Sequence, residues 1–418
     1  MARFSAIVIL YFMQGVPLGL TLVAIPAWLA ASGASPTAIG VFVGTAMLPW
    51  SLKLINGLLM DRFTFKPMGR RRAWILVAQA MMATTLVALA VAAPSAAQVG
   101  LLAWFCFTLN ICATFNDVAV DGMAVDLVPD EERTTVNGFM FASQALGVSA
   151  TSFVAGQLLV TGNIATMALV LAGFVAVVST FVAIFRERPG ERLLPWSEGR
   201  ASQECEERQQ GAWWPIIKGV FQSLASPLIL LYLLGVAFSQ GSWSFIDAVS
   251  PPLAVQELGW GSDQFSSFSA MASLLSAIAA AILTPLVVRL VGLRNAIAGL
   301  FVLIAALAVI GGVTFPTWQN DRIFLALYSL QYGAGLLLNI LLIVWAMRVC
   351  NPAVAASQFA LFMAVPNFSR SIFSGYSGWL AENGGYALTY YAVAAVTLIG
   401  LALCLLAKIG KKGGAAAV

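Results

Sequence analysis

The sequence contains no histidine, and only 10% of its 418 residues are charged. Without histidine it lacks the usual zinc ligand and the usual neutral-pH proton shuttle, so any proton chemistry falls to carboxylates. A soluble domain carries roughly 25% charged residues. A chain that is 60% hydrophobic, with a mean hydropathy of +0.89, cannot build a surface for water, and lipid must solvate most of it. The five cysteines, Cys106, Cys112, Cys205, Cys350 and Cys404, have neither metal-ligand nor CxxC spacing. Four fall in or beside apolar runs, which argues against a disulfide framework. Nucleophile motifs, metal clusters and glycine-rich phosphate loops are also missing, so neither an enzyme nor a bound cofactor is expected.

What the chain does have is apolar runs of membrane length, about 20 residues each. They predict spans near 5–30, 37–60, 73–93, 99–127, 137–160, 164–185, 226–250, 263–287, 295–315, 322–347, 353–379 and 386–407. The first run follows Arg3 and is too long for the apolar core of a signal peptide, so it is read as a retained span. The fold class is therefore an all-α membrane protein. Its organisation is an N-terminal six-helix bundle (1–185), a hydrophilic linker (186–225) and a C-terminal six-helix bundle ending in a short basic tail (226–418). Of the 22 Lys and Arg, all but Lys53, Arg322 and Arg370 fall on one side of these spans. The positive-inside rule then puts both termini and the linker in the cytoplasm. This distribution follows topology, which leaves nucleic-acid binding without support.

Helix starts are punctuated by Ser35-Pro36, Ser262-Asp263, Asp321 and Asn351-Pro352, each offering a capping side chain ahead of an apolar run. Asp130, Glu131 and Glu132 suit the dipole at the start of the fifth span. Trp213 and Trp214 predict an interfacial helix leading into the seventh. The halves echo one another: Leu10-Tyr11 … Pro26 … Gly33-Ala-Ser-Pro against Leu231-Tyr232 … Pro252 … Gly259-Trp-Gly-Ser. Transporters are commonly built from such repeats.

A charge at mid-bilayer costs ~2.5–3.5 kcal/mol on insertion scales, so embedded charges mark function. They are Lys53, Asp117, Asp121, Asp247 and Arg370, with Asp126 at a membrane edge. Asp117 and Asp121 share a helix face that Asn110 and Thr114 extend. Lys53 lies eight residues before Asp61, ~12 Å from the cytoplasmic end, and Asp117 nine before Asp126, ~13 Å from the same side. The depths match, so a Lys53–Asp117 pair is expected. Desolvation disfavours a charged carboxylate while the lysine favours it. A carboxylate balanced in this way can take and release the coupling proton; the alternative is a purely structural ion pair. Arg370, with Asn367 and Ser374 on its face, either gates the outer side with Asp247 or holds an anionic group of a substrate. Gln240, Trp243, Tyr328, Gln331, Tyr332 and Asn339 are candidate cavity linings, against the alternative of interhelical hydrogen bonding. Gln14, Gly15 and Pro17 interrupt the first span, as in discontinuous helices that line transport sites.

Two stretches carry a family resemblance. The first runs Leu48-Pro-Trp-Ser-Leu-Lys53, Met60-Asp61-Arg62-Phe63 and Gly69-Arg70-Arg71-Arg72-Ala-Trp74. The second is Asn116-Asp-Val-Ala-Val-Asp121-Gly-Met-Ala-Val-Asp126. The Asp-Arg … Gly-Arg-Arg core resembles the loop signature of the major facilitator superfamily. Together the stretches are similar to the muropeptide permease (AmpG-like) family, which includes acetyl-CoA transporters, and to related siderophore permeases that share the Gln14-Gly15-Val-Pro17 opening. The chain departs from the muropeptide permeases at Gly122-Met123, where their pattern has Trp-Lys. The resemblance implies the facilitator fold and proton-driven import of a small organic solute across a bacterial inner membrane; a monomer is expected. The resemblance places Asp117 and Asp121 in the transport site and makes Asp61, Arg62, Arg70 and Asp126 a cytoplasmic latch. The reading of the residues themselves adds Lys53 to proton coupling, Asn116 to the linings above and Asp247 to the gate. The competing expectation is a non-transporting assembly factor of the same fold.

Overall fold

The computed structural model describes residues 2–128, 133–207, 218, 226–318, 321–349 and 355–407. The expectations for Asp130 to Glu132, the Trp213–Trp214 helix and the Asn351-Pro352 cap lie outside these residues. The described chain is helical. In the first half α1 (Ala2–Gly19) runs through a π turn (Leu20–Ala24) into α2 (Ile25–Ala31). It continues with α3 (Pro36–Met47), α4 (Lys53–Arg62), α5 (Arg72–Ala92), α6 (Val99–Leu127), α7 (Arg133–Thr161) and α8 (Ile164–Ile184). A short linker helix, α9 (Gln203–Glu207), precedes α10 (Pro227–Pro252), α11 (Ser262–Thr314), α12 (Arg322–Val349) and α13 (Ala355–Leu406).

Among the described residues nine helices are long and apolar enough to cross a membrane. Two are far too long for one crossing: α11 has 53 residues and α13 has 52, about 80 Å each at 1.5 Å per residue against a ~30 Å hydrocarbon core. Each breaks at one glycine with left-handed backbone, Gly292 (φ 79°) and Gly385 (φ 78°). A side chain there would be strained. The breaks fall in or beside the gaps that the apolar runs predicted.

Prolines shape the helices that matter most. Pro49 sits in a 3-10 turn, Leu48–Leu52, that divides α3 from α4 and leaves Lys53 as the first residue of the new helix. Proline removes the usual donor from the carbonyl four residues earlier, that of Met13 in α1; the Thr21 hydroxyl bonds the carbonyl of Pro17 itself at 2.6 Å. The repeat is visible in the backbone. A π turn lies beside Pro26 and another beside Pro251-Pro252, and both segments end at a left-handed glycine, Gly33 and Gly259. Ser35 caps α3 as expected, accepting from Ala38 N at 3.3 Å. Ser262 does not cap: α11 begins at that residue, with Gly261 at the cap position and no side-chain bond.

Two apolar cores belong to one half each, one from Ile7 to Val182 and one from Ile229 to Ala407. A third crosses between halves, joining Val23 and Ala27 to Phe245, Phe265, Phe324 and Tyr390. It lies where the halves are closed against each other. Three helix pairs seal that face. Gln256 donates to the carbonyls of Ala30 (2.9 Å) and Ala34 (2.8 Å). Ser149 donates to Ala270 O at 2.7 Å. On α3 and α13, glycines allow backbone contact: a Cβ on Gly378 would stand 2.1 Å from Pro36 O, and one on Gly40 2.5 Å from Ser374 O.

Candidate functional site

Lys53 Nζ lies 2.5 Å from Asp117 Oδ2, and both side chains are largely withdrawn from solvent, 19% and 5% exposed. The 3-10 turn that starts α4 at Lys53 directs it at α6, and Trp50 in the same turn stacks 4.7 Å from the ammonium. Trp50 Nε1 donates to Asn110 Oδ1 at 2.7 Å, and Asn56 donates to Thr114 at 2.8 Å. The polar stripe of α6 is thus met, residue by residue, by the helix it faces. One turn beyond Asp117, Asp121 is open to solvent and accepts a hydrogen bond from the Tyr11 hydroxyl. Tyr11 was not singled out in the sequence. The Leu10-Tyr11 repeat was visible, but nothing local links a tyrosine to a carboxylate 110 positions away.

The C-terminal half presents a second pair. Arg370 Nη2 lies 2.9 Å from Asp247 Oδ2. Trp243, one turn before Asp247, donates to Asp247 Oδ1 at 3.2 Å and offers its ring face to Arg370 at 5.6 Å. Tyr332 meets the edge of that indole at 5.6 Å and donates to Ser273 at 3.2 Å. Gln240 donates to Asn339 at 2.9 Å. The pairs are connected across the halves: Asn367, one turn before Arg370, donates to the Trp50 carbonyl at 3.4 Å. Each half therefore brings one lysine or arginine and one aspartate to a shared Trp50–Asn367 seam.

Four predicted linings do not face open space in this conformer. Gln14 is 1% exposed and accepts from Gln144 at 3.1 Å. Asn110 is fully buried under Trp50. Asn116 is fully buried and accepts from Gln79 at 3.3 Å, bracing α5 on α6. Tyr328 is 3% exposed and bonded to Ser269 at 2.7 Å. Their polarity is satisfied between helices, as buried polar groups require.

At the C-terminal end of α6, Asp126 Oδ2 sits 3.7 Å from Arg70 Nη1 and 3.8 Å from Arg71 Nε. The Asp61 side chain lies outside the description, and Arg62 is exposed. Gly122 leaves room for Arg71: a Cβ there would stand 2.5 Å from its Nε. The Gly122-Met123 departure thus belongs to this cluster. The linker completes it. Buried Glu187 accepts from the backbone N–H of Arg71 (3.0 Å) and Arg72 (3.1 Å), and Glu191 from Arg188 N (2.9 Å). Burial pushes the Glu191 carboxyl above the usual glutamate range. Arg72, with no exposed surface, donates to the carbonyls of Val182, Ala183, Arg192 and Leu193 at 2.5–3.0 Å. Sequence reasoning missed Arg71, Arg72, Glu187 and Arg188 because charges between spans read as a solvated linker.

A helical multi-pass fold with a paired charge in each half, closed on one face, is the architecture of a membrane transporter. The chain belongs to the Major Facilitator Superfamily, whose family model matches residues 7–374. It is 24% identical to the anhydromuropeptide permease of Escherichia coli (strain K12) over 440 aligned residues, covering 97% of this chain and 80% of that protein. It is 28% identical to the folate-biopterin transporter of Synechocystis sp. over 378, covering 87% and 72%. Two solved structures share the fold. One is a POT family transporter in complex with a thioalcohol-conjugated peptide (TM-score 0.73, 14% identity, 98% of this chain and 96% of that one). The other is the nucleoside transporter NupG (TM-score 0.71, 13% identity, 98% and 100%). The family and these relatives are transporters rather than enzymes.

Proposed function

We propose that this protein is a proton-coupled secondary transporter that imports a small carboxylated solute across a bacterial inner membrane by alternating access. Counting each glycine-broken helix as two spans and Pro36–Leu52 as one gives twelve, six to a half, with the linker between. The halves, 1–185 and 226–418, rock about the Trp50–Asn367 seam. With both termini cytoplasmic, as the basic residues direct, the sealed face is outward and the conformer is open inward. Asp117 and Asp121 carry the coupling proton, Lys53 alternately neutralises and releases Asp117, and Arg370 holds the carboxylate when Asp247 lets it go.

The observation that carries this reading is the pair of ionised contacts, Lys53–Asp117 and Arg370–Asp247, one per half and joined through Trp50 and Asn367. Desolvated charges are retained in a membrane where a polar pathway needs them. A purely structural pair explains neither the solvent-open Asp121 beside it nor the matching pair opposite.

The relatives direct the first substrate trials: an anhydromuropeptide and folate, with a ferric siderophore from the sequence resemblance. The test is uptake by protein reconstituted in liposomes under an inward proton gradient. Accumulation of one of these solutes, abolished by collapsing the gradient, is the expected result. Gradient-independent equilibration removes the coupling, and no uptake of any solute favours the assembly-factor reading.

A further inference from the structure

Beside Trp243 the C-terminal half encloses a cavity of its own. Ser239, Ser242 and Trp243 line it from α10, Gln331 and Gly335 from α12 and Thr397 from α13, over an apolar floor. The space measures about 420 Å³ with its open mouth included, and its enclosed part has room for one or two waters. Its deep wall is buried, whereas Trp243 and Gly335 are half-buried and form the mouth. The Ser242 and Thr397 hydroxyls satisfy each other at 2.5 Å. Gln331 is different: it is 4% exposed, and neither its Nε2 nor its Oε1 has a partner. A buried carboxamide unpaired at both ends is costly and calls for an explanation. Gln331 lines the cavity, and its Nε2 and Oε1, shielded in this conformer, are a donor and an acceptor that meet a guest once the side chain turns into that space. Its neighbour in the wall, Trp243, carries Arg370 over its ring face.

We propose that this cavity is a subsite for a primary carboxamide or ring amide of the transported solute. Such a group shows an adjacent N–H and C=O on one edge and pairs with Gln331 twice, its N–H donating to Oε1 and its C=O accepting from Nε2. The pairing works whichever way the Gln331 amide is turned. The proposal rests on the transport reading, in which Arg370 holds the carboxylate. The solute is then an acid with an amide edge on one arm, and Gln331 is a specificity residue. A site built to bond an N–H rejects the analogue that lacks it, because its own buried polar atoms are left unpaired.

Three ω-carboxamido acids, succinamate, glutaramate and adipamate, vary the spacing. Their near-isosteric methyl ketones, levulinate, 5-oxohexanoate and 6-oxoheptanoate, keep the carboxylate and carbonyl but lose the N–H. Binding to the purified full-length protein is measured by calorimetry. For the spacer that fits, the amide binds about 10-fold more tightly than its ketone. Gln331→Met, similar in length, removes that preference while both acids still bind. Gly335→Ala, whose Cβ meets the Trp243 ring at an ordinary 3.5 Å, narrows the mouth and weakens the amide. Absence of any amide preference, preference surviving in Gln331→Met, or no binding of any acid overturns the proposal. If amide and ketone bind equally and Arg370→Gln abolishes both, the cavity holds water only, and the carboxylate site stands without this inference. If Arg370→Gln leaves the affinities unchanged, the carboxylate reading itself fails.

Discussion

Replacing Lys53 with methionine leaves Asp117 buried beside Asp121 without the cation that faces both. Removing one partner of a buried ion pair costs roughly 3–5 kcal/mol. Lys53 is 19% exposed, so the low end, about 3 kcal/mol, applies. Asp117→Asn is milder, because Lys53 keeps a carboxylate one turn away at Asp121; about 1–2 kcal/mol is expected. Changing both removes the uncompensated charge, and the double variant should return to within about 1 kcal/mol of the parent. The coupling energy from the cycle is then on the order of 3–5 kcal/mol. Thermal unfolding of the purified protein reads it: a drop of about 3–4 °C for Lys53→Met, a smaller one for Asp117→Asn, and recovery in the double variant. The recovered protein should still fail to accumulate solute against its gradient, which separates holding the fold from moving a proton. Additive losses in the double variant would refute the pairing, and restored accumulation would refute its role in coupling.

Three other outcomes follow from named contacts. Gly378→Leu puts a branched side chain where a Cβ already falls 2.1 Å from Pro36 O; the sealed face should be forced open, read as faster labelling from outside of a cysteine placed at Ser371. Arg72→Lys replaces a fork serving four carbonyls with a single ammonium that cannot span them; residues 186–207 should undock, with protease cutting there at least several-fold faster. Gly122→Trp collides with the Arg71 guanidinium and should lower thermal stability by about 2–3 kcal/mol, whereas Met123→Lys alone would not reproduce that clash.

Most of the helices were legible because apolar runs of membrane length have few other uses. The breaks at Gly292 and Gly385 fall in gaps between such runs, though neither glycine was singled out in the sequence. The Lys53–Asp117 contact followed from counting residues up from the cytoplasmic ends, since helical rise is uniform enough to compare depths. Tyr11 was hidden because a tyrosine in an apolar helix reads as packing until its partner is known. The docked linker was hidden for a deeper reason. Arg72 is held by backbone carbonyls, and backbone acceptors leave no trace in side-chain identity. Asn110, Asn116 and Tyr328 bond a neighbouring helix in this conformer, the alternative that polar residues on membrane helices always leave open.

The most direct test is the ratio of internal to external solute at steady state in liposomes with an imposed pH gradient, compared between the parent protein and Asp117→Asn. Parent protein accumulates solute in proportion to the gradient. Asp117→Asn is expected to exchange solute across the membrane yet reach a ratio of about one whatever the pH difference. Full gradient-driven accumulation by Asp117→Asn would contradict the assignment of the coupling proton to that carboxylate.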